Sequence, residues 1–261
     1  MKFRPCIDIH GGSVKQIVGG SLRDGGFAEE NFVSKMCGAY YSELYRSCGL
    51  SGGHIILLDP AGTPAYAADC EQARSALEAF PGGFQIGGGV TAENAGRFID
   101  MGASHVIVTS YVFRDGQVIA DNLKKLVQAV GRERIVLDLS CRYRQEDKAY
   151  YIVTDRWQKY TETEFSPEAL DYFSGFCAEL LVHAVDVEGR QSGIEPYVAK
   201  TLGGFVFPST YAGGISSFED LDRLYEYGKG RVDFTVGSAL DIFGGKLPFT
   251  EVVRYAEDKR K

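Results

Sequence analysis

A strand, a glycine turn, a helix and a second strand ending in small polar residues occur twice in this chain, about half a chain length apart. The first copy opens with Phe84-Gln85-Ile86-Gly87-Gly88-Gly89-Val90. It runs through a helical segment from Thr91 to Gly102 and closes with His105-Val106-Ile107-Val108-Thr109-Ser110. The second opens with Ser209-Thr210-Tyr211-Ala212-Gly213-Gly214-Ile215, passes a helical segment ending at Gly228, and closes with Val232-Asp233-Phe234-Thr235-Val236-Gly237-Ser238. Gly213 follows Gly88, and Ser238 follows Ser110, at nearly the same interval, close to half of the 261 residues. A unit repeated at half the chain length points to a duplicated architecture.

The repeated glycines carry a chemical meaning. A Gly-Gly turn between a strand and a helix lets backbone N–H groups approach an anion, and the helix start adds the positive end of its dipole. Two such turns at matched places suggest two phosphates. One would be held by Gly88, Gly89, Thr109 and Ser110, the other by Gly213, Gly214, Gly237 and Ser238. Ser216 and Glu219 have capping-box spacing and predict a helix start at Ser216, with Thr91 and Asn94 as the weaker counterpart.

The same period joins two pairs of acids. Pro5-Cys6-Ile7-Asp8-Ile9 and Arg134-Ile135-Val136-Leu137-Asp138-Leu139 each read as a buried strand with one aspartate near its end, so that Asp8 and Asp138 are counterparts in the repeat. The apolar runs ending at Asp59 and Asp186 match each other in the same way and have the continuous hydrophobicity of parallel strands covered on both faces. Helical spacing is expected over residues 31–48, with Phe32, Met36, Tyr40 and Leu44 on one face, and over 69–79 with Ala73, Leu77 and Phe80 inward. A polar stretch from Arg142 to Ser166 reads as a long loop with a hairpin about Thr154-Asp155-Arg156. A second loop, containing Arg23, lies between glycine pairs.

Each half then holds four strands alternating with helices. The predicted fold is α/β: a (β/α)8 TIM barrel built from two duplicated half-barrels, one domain over 1–261 with halves of about 1–131 and 132–261. In such a barrel the C-terminal ends of the strands line the active face. Asp8 and Asp138, on strands one and five, would face each other across the mouth with an anion site on either flank. That is a pocket for an elongated bisphosphate with two carboxylates at its middle.

Composition removes other classes. A net charge of −7 with no block of Lys or Arg argues against a nucleic-acid surface, and no apolar run reaches membrane-spanning length. The six cysteines are scattered without a C-x-x-C pair and are expected as free thiols, and the four histidines show no metal-ligand spacing. No metal is therefore expected. His10 reads as an exposed turn residue, and His54 and His105 as barrel packing. Met1-Lys2-Phe3-Arg4-Pro5 lacks a secretory apolar core, so a cytoplasmic chain is expected.

Two carboxylates facing one substrate suit paired proton transfer, which fits isomerisation of a sugar phosphate better than redox chemistry. Taken together, the segments around Asp8, Gly88, Asp138, Gly213 and Val236-Gly237-Ser238 resemble the histidine-biosynthesis barrels over nearly the whole chain. Among these the ProFAR isomerases, in their fungal and plant-like form, are nearest. The resemblance implies a cofactor-free Amadori rearrangement of an aminoaldose to an aminoketose. Asp138 would act as general acid at the ribose ring oxygen and Asp8 as general base at C2.

His183 stands where bacterial members carry a threonine, which implies a substrate contact or help in proton transfer, the alternative being a histidine satisfied within the barrel interior. Gln16 stands where they carry an arginine, leaving Arg23 for substrate positioning. Trp157 takes the place of the family's loop tryptophan, which implies stacking on the aminoimidazole, the alternative being packing within the hairpin. Two rivals share the barrel: the cyclase subunit of imidazole glycerol phosphate synthase, which needs ammonia from a glutaminase partner, and a phosphosugar-binding barrel without catalysis. A phosphoribosylanthranilate isomerase is less consistent with two phosphate turns, because its substrate carries one phosphate. The internal duplication favours a monomer.

Overall fold

In the computed structural model, described for residues 1–17, 30–155 and 157–260, eight parallel strands pair in chain order. They are β1 (Cys6–His10), β2 (Gly53–Leu57), β3 (Phe84–Gly87), β4 (His105–Val108), β5 (Ile135–Asp138), β6 (Glu179–His183), β7 (Ser209–Ala212) and β8 (Asp233–Phe234). The ring closes beside β1, where Phe3 bridges Phe234 in parallel. Arg4 N donates to Phe234 O at 2.7 Å and Phe234 N donates to Lys2 O at 3.0 Å.

A helix follows each strand: α1 (Gly38–Ser47), α2 (Pro64–Ala79), α3 (Ala95–Asp100), α4 (Ala120–Val130), α5 (Pro167–Ser174), α6 (Pro196–Gly204), α7 (Phe218–Tyr227) and α8 (Phe249–Asp258). The protein is a (β/α)8 barrel. No helix among the described residues is long and apolar enough to cross a membrane.

Strand residues alternate between two cores. Those pointing outward, among them Ile55, Ile86, Val106, Leu137 and Val182, pack beneath the helices. Those pointing inward form a separate cluster of Ile107, Val136, Leu181 and Ala212, with Ile56 against it. Each such aliphatic side chain contributes about 1.5–3 kcal/mol when fully buried. At the N-terminal end of the barrel, Glu179 accepts from Gln85 Nε2 at 2.8 Å and Thr210 Oγ1 at 2.6 Å, and Arg4 lies 3.6 Å away. This charge is hydrogen-bonded and paired, as a buried carboxylate requires. The inner layers plug the lumen and leave the opposite mouth as the place for chemistry.

Several local expectations are corrected. Residues 30–33 form a strand paired antiparallel with Ser13–Ile17, so the helix expected over 31–48 begins only at Gly38. Its buried face is Gly38, Tyr41, Ser42 and Tyr45, whereas Met36 and Tyr40 are exposed. The apolar spacing gives the wrong register for this helix, because the stripe begins in what is a strand.

α7 is capped by Ser217 and Asp220 rather than by Ser216 and Glu219. The buried Asp220 carboxylate collects Ser216 N at 3.0 Å and Ser217 N at 3.1 Å, which draws the cap one residue onward. The polar loop after β5 is a three-stranded antiparallel unit, Cys141–Arg144, Ala149–Thr154 and Lys159–Glu164, which contains the expected hairpin and extends it.

Candidate active site

A cavity of about 800 Å³ opens at the C-terminal ends of the strands. Both duplicated turns line it, Gly88, Gly89, Thr109 and Ser110 on one side and Gly213, Gly214, Gly237 and Ser238 on the other, together with Asp8, Asp138, His183 and Trp157. β1 and β5 stand four places apart in the eight-strand ring, so Asp8 and Asp138 approach from opposite walls. Arg23 lies outside the described residues.

The turns repeat in backbone conformation as well as in sequence. Gly88 and Gly213 have φ of 101° and 120°, and Gly89 and Gly214 have 64° and 73°. A Cβ at Gly88 would lie 2.1 Å from Leu57 O, and one at Gly213 would lie 2.8 Å from Ala184 O. Leu57 and Ala184 are themselves counterparts in the repeat, each two positions before the acids Asp59 and Asp186. Glycine is thus required twice for the same reason: left-handed backbone pressed against the carbonyl of the neighbouring strand.

Electrostatics separate the two aspartates. Asp138 Oδ1 accepts from Ser140 N at 2.9 Å and from Ser140 Oγ at 2.6 Å, and His183 Nδ1 lies 3.3 Å from Oδ2. Burial alone would raise the Asp138 carboxyl. The His183 charge and these hydrogen bonds outweigh it and hold the group below its ordinary value. Burial likewise works against charge on His183, but Asp138 foremost, then Glu188 and Asp8, lift it to about 9. The resting pair is carboxylate and imidazolium.

Asp8 behaves oppositely. Burial first, and then the charge of Glu188, push it up to about 7, against the pull of His183 and of a 3.3 Å hydrogen bond from Gln16 Nε2. It changes charge near neutrality, the range in which a group is poised for proton transfer.

Three further residues belong to this site. Glu188, just past β6, lines the cavity; its Oε2 is buried with no hydrogen-bond partner among the described residues, and burial raises its carboxyl above the ordinary value. Ser140 joins Asp138 to the loop, because its Oγ also accepts from Trp157 Nε1 at 3.0 Å. His54, expected as packing, lines the cavity with its ring 6.2 Å from that of His183, and burial lowers it to about 3, so it stays neutral.

His10 is not an exposed turn residue. It is buried, with Nδ1 3.1 Å from Asp59 Oδ2, because the chain after β1 folds back onto the end of β2. Asp59 also accepts from Gly11 N at 2.6 Å, and Asp186 accepts from Tyr143 N at 2.8 Å. The second duplicated pair of acids therefore anchors the loops that follow β1 and β5.

A closed eight-stranded barrel with paired glycine turns and opposed carboxyls at one mouth defines a class, the (β/α)8 barrels whose two halves repeat the same turn around one cavity. The chain matches the family described as histidine biosynthesis protein over residues 2–247, and it belongs to that family. It is 48% identical over 266 residues to a chloroplastic 1-(5-phosphoribosyl)-5-((5-phosphoribosylamino)methylideneamino)imidazole-4-carboxamide isomerase of Medicago truncatula, covering 100% of this chain and 83% of the relative. Isomerases of the same name from Neurospora crassa and Saccharomyces cerevisiae are 43% and 37% identical. The first match covers 94% of each chain and the second 98% of each.

Proposed function

We propose that this chain catalyses the Amadori rearrangement of 1-(5-phosphoribosyl)-5-((5-phosphoribosylamino)methylideneamino)imidazole-4-carboxamide (ProFAR), an aminoaldose, to its phosphoribulosyl ketose isomer in histidine biosynthesis. The observation that carries this is a single cavity with a duplicated anion-type turn on either flank and Asp8 and Asp138 between them. The names of the relatives support the substrate.

The protons balance within the chain's own groups. The Asp138–His183 pair gives a proton to the ring oxygen as the C1–O bond breaks, and the amino nitrogen's lone pair forms the Schiff base. In the resting site that proton lies on the imidazolium, so Asp138 acts as acid through His183 rather than by itself. Asp8, ionised above about pH 7, takes the C2 proton and leaves an enolamine. C1 then receives the proton from Asp8, and the C2 hydroxyl returns its proton to the pair as the ketone forms. Each transfer group contributes roughly 10²- to 10⁴-fold. Phosphates held at both ends fix C1 and C2 between the two walls, which removes orientational cost from the reaction.

On the same reading the partner is a small bisphosphate and not a nucleic acid or membrane. One chain suffices, because both halves of the site lie within it, and sedimentation of the active protein as a monomer is expected. We place the activity in the cytoplasm. Cell fractionation tests this against the plastid, the compartment named for the Medicago relative.

The function is tested by incubating purified protein with ProFAR, without ammonia or any second protein, and following the ketose by NMR. Conversion is expected. Unchanged ProFAR that remains bound would overturn the reading in favour of a binding barrel, and consumption of the ketose only with ammonia would favour the cyclase.

A further inference from the structure

Ser140 stands at the root of the 141–164 unit and is fully buried. Its single hydroxyl has three polar neighbours among the described residues: Asp138 Oδ1 at 2.6 Å, Trp157 Nε1 at 3.0 Å and His183 Nδ1 at 3.4 Å. A hydroxyl has one proton and two acceptor lone pairs. Indole N–H donates only and a carboxylate accepts only, so the arrangement is determined. Trp157 gives its N–H to Ser140, and Ser140 gives its proton to Asp138. Trp157 itself sits in the turn between two strands of that unit with φ of 65°, a conformation non-glycine residues adopt at a cost, and its ring centroid is 5.5 Å from that of His183.

We propose that Ser140 is a positioning residue that ties the tip of the 141–164 unit to the Asp138–His183 pair, its proton directed onto Asp138 by the indole N–H of Trp157. The proposal deepens the isomerase reading and rests on it for its catalytic meaning. With the indole seated, the hydroxyl cannot rotate away, and Asp138 keeps two donors from one residue. With the indole displaced, the hydroxyl regains a free lone pair and a choice of partner. Seating of the aromatic loop is thereby coupled to the charge state of the acid. Hydrogen bonds that share one hydroxyl polarise one another, so the contacts at Ser140 strengthen or weaken together.

Trp157 is the chain's one tryptophan, so emission excited at wavelengths that tyrosine does not absorb comes from this side chain and needs no substrate. His183 is faced by Asp138 from β5, Asp8 from β1, Glu188 from the loop after β6 and neutral His54 from β2. All four remain in the Ser140 variants below, so differences there trace to the hydroxyl. In the unliganded parent, emission is expected to rise near pH 9 as the quenching imidazolium loses its proton. Ser140→Ala is expected to red-shift the emission and reduce that rise at least twofold, while Ser140→Thr, which keeps the hydroxyl, restores both.

In Trp157→Phe, the His183 ring resonances followed by NMR are expected to titrate at a changed midpoint. Kinetically, Ser140→Ala is expected to lower kcat about tenfold or more with KM for ProFAR changed less than threefold, and Ser140→Thr to recover most of it. Emission and titration in Ser140→Ala identical to the parent would overturn the tether, as would an unshifted His183 midpoint in Trp157→Phe. If the fluorescence coupling holds while ProFAR is never converted, the isomerase reading fails and the tether stands.

Discussion

Replacing Asp8 by Asn separates what the residue does for the reaction from what it does to the fold. The ordinary value of this carboxyl is 3.8, and burial together with the charge of Glu188 raises it to about 7. At about 1.36 kcal/mol per pH unit, that corresponds to about 4 kcal/mol of strain on the folded state once Asp8 is ionised. The side chain faces a cavity open to water, which screens part of it, so about 2 kcal/mol is the expected size.

The sign follows from the direction. Because Asp8 is harder to ionise when folded, its contribution to stability is full below about pH 4 and is lost as pH rises through about 7. Asn does not ionise, and its side-chain oxygen still accepts from Gln16. At pH 8 the variant should therefore be more stable than the parent by about 2 kcal/mol, or about 4–8 °C in Tm, and at pH 4 the difference should vanish. Turnover should fall by 10² or more. Urea unfolding at the two pH values measures the first part. A variant less stable than the parent at pH 8, or a difference that does not change between pH 4 and 8, would refute the reasoning.

Other consequences follow from the same site. Asp138→Asn removes the partner that lifts His183 to about 9, so NMR should show the imidazole titrating well below that value, with activity lost. The parent pair should stabilise the fold fully near pH 6, a contribution that fades as pH rises through about 9 and that the variant lacks. Glu188→Gln removes a charge that raises Asp8, and the acid limb of the kcat/KM profile should move to lower pH. Gly213→Ala brings a Cβ to 2.8 Å from Ala184 O at φ of 120°, which should cost on the order of 1–3 kcal/mol in urea unfolding. It should also raise KM for ProFAR more than it lowers kcat.

What was legible beforehand was what the chain repeats. Gly88 and Gly213 could be read because both must pass a neighbouring carbonyl, and Asp8 and Asp138 because both end a buried strand at the same point of the period. Residues that break the symmetry carried no such signal. The offset that joins Asp59 to Asp186 sets Glu188 against Ala61, and the one that joins Asp8 to Asp138 sets Ser140 against His10.

These unmatched residues set the two aspartates apart electrostatically. Ser140 with His183 keeps Asp138 ionised, whereas Glu188 presses Asp8 toward neutrality. The helix expected over 31–48 failed for a different reason. Phe32 continues the apolar spacing of α1 into a segment whose backbone hydrogen bonds go to Ser13–Ile17, and side-chain periodicity does not report where the backbone pairs.

The most direct test of the account is to follow ProFAR deuterated at C2 through single turnovers by parent and Asp8→Asn proteins. The parent is expected to convert it without ammonia and to show a primary isotope effect. The variant should bind ProFAR with similar affinity yet convert it at least 10²-fold more slowly. Turnover by Asp8→Asn within tenfold of the parent, or conversion that never occurs in the parent, would contradict the assignment of proton transfer to the carboxyl on β1.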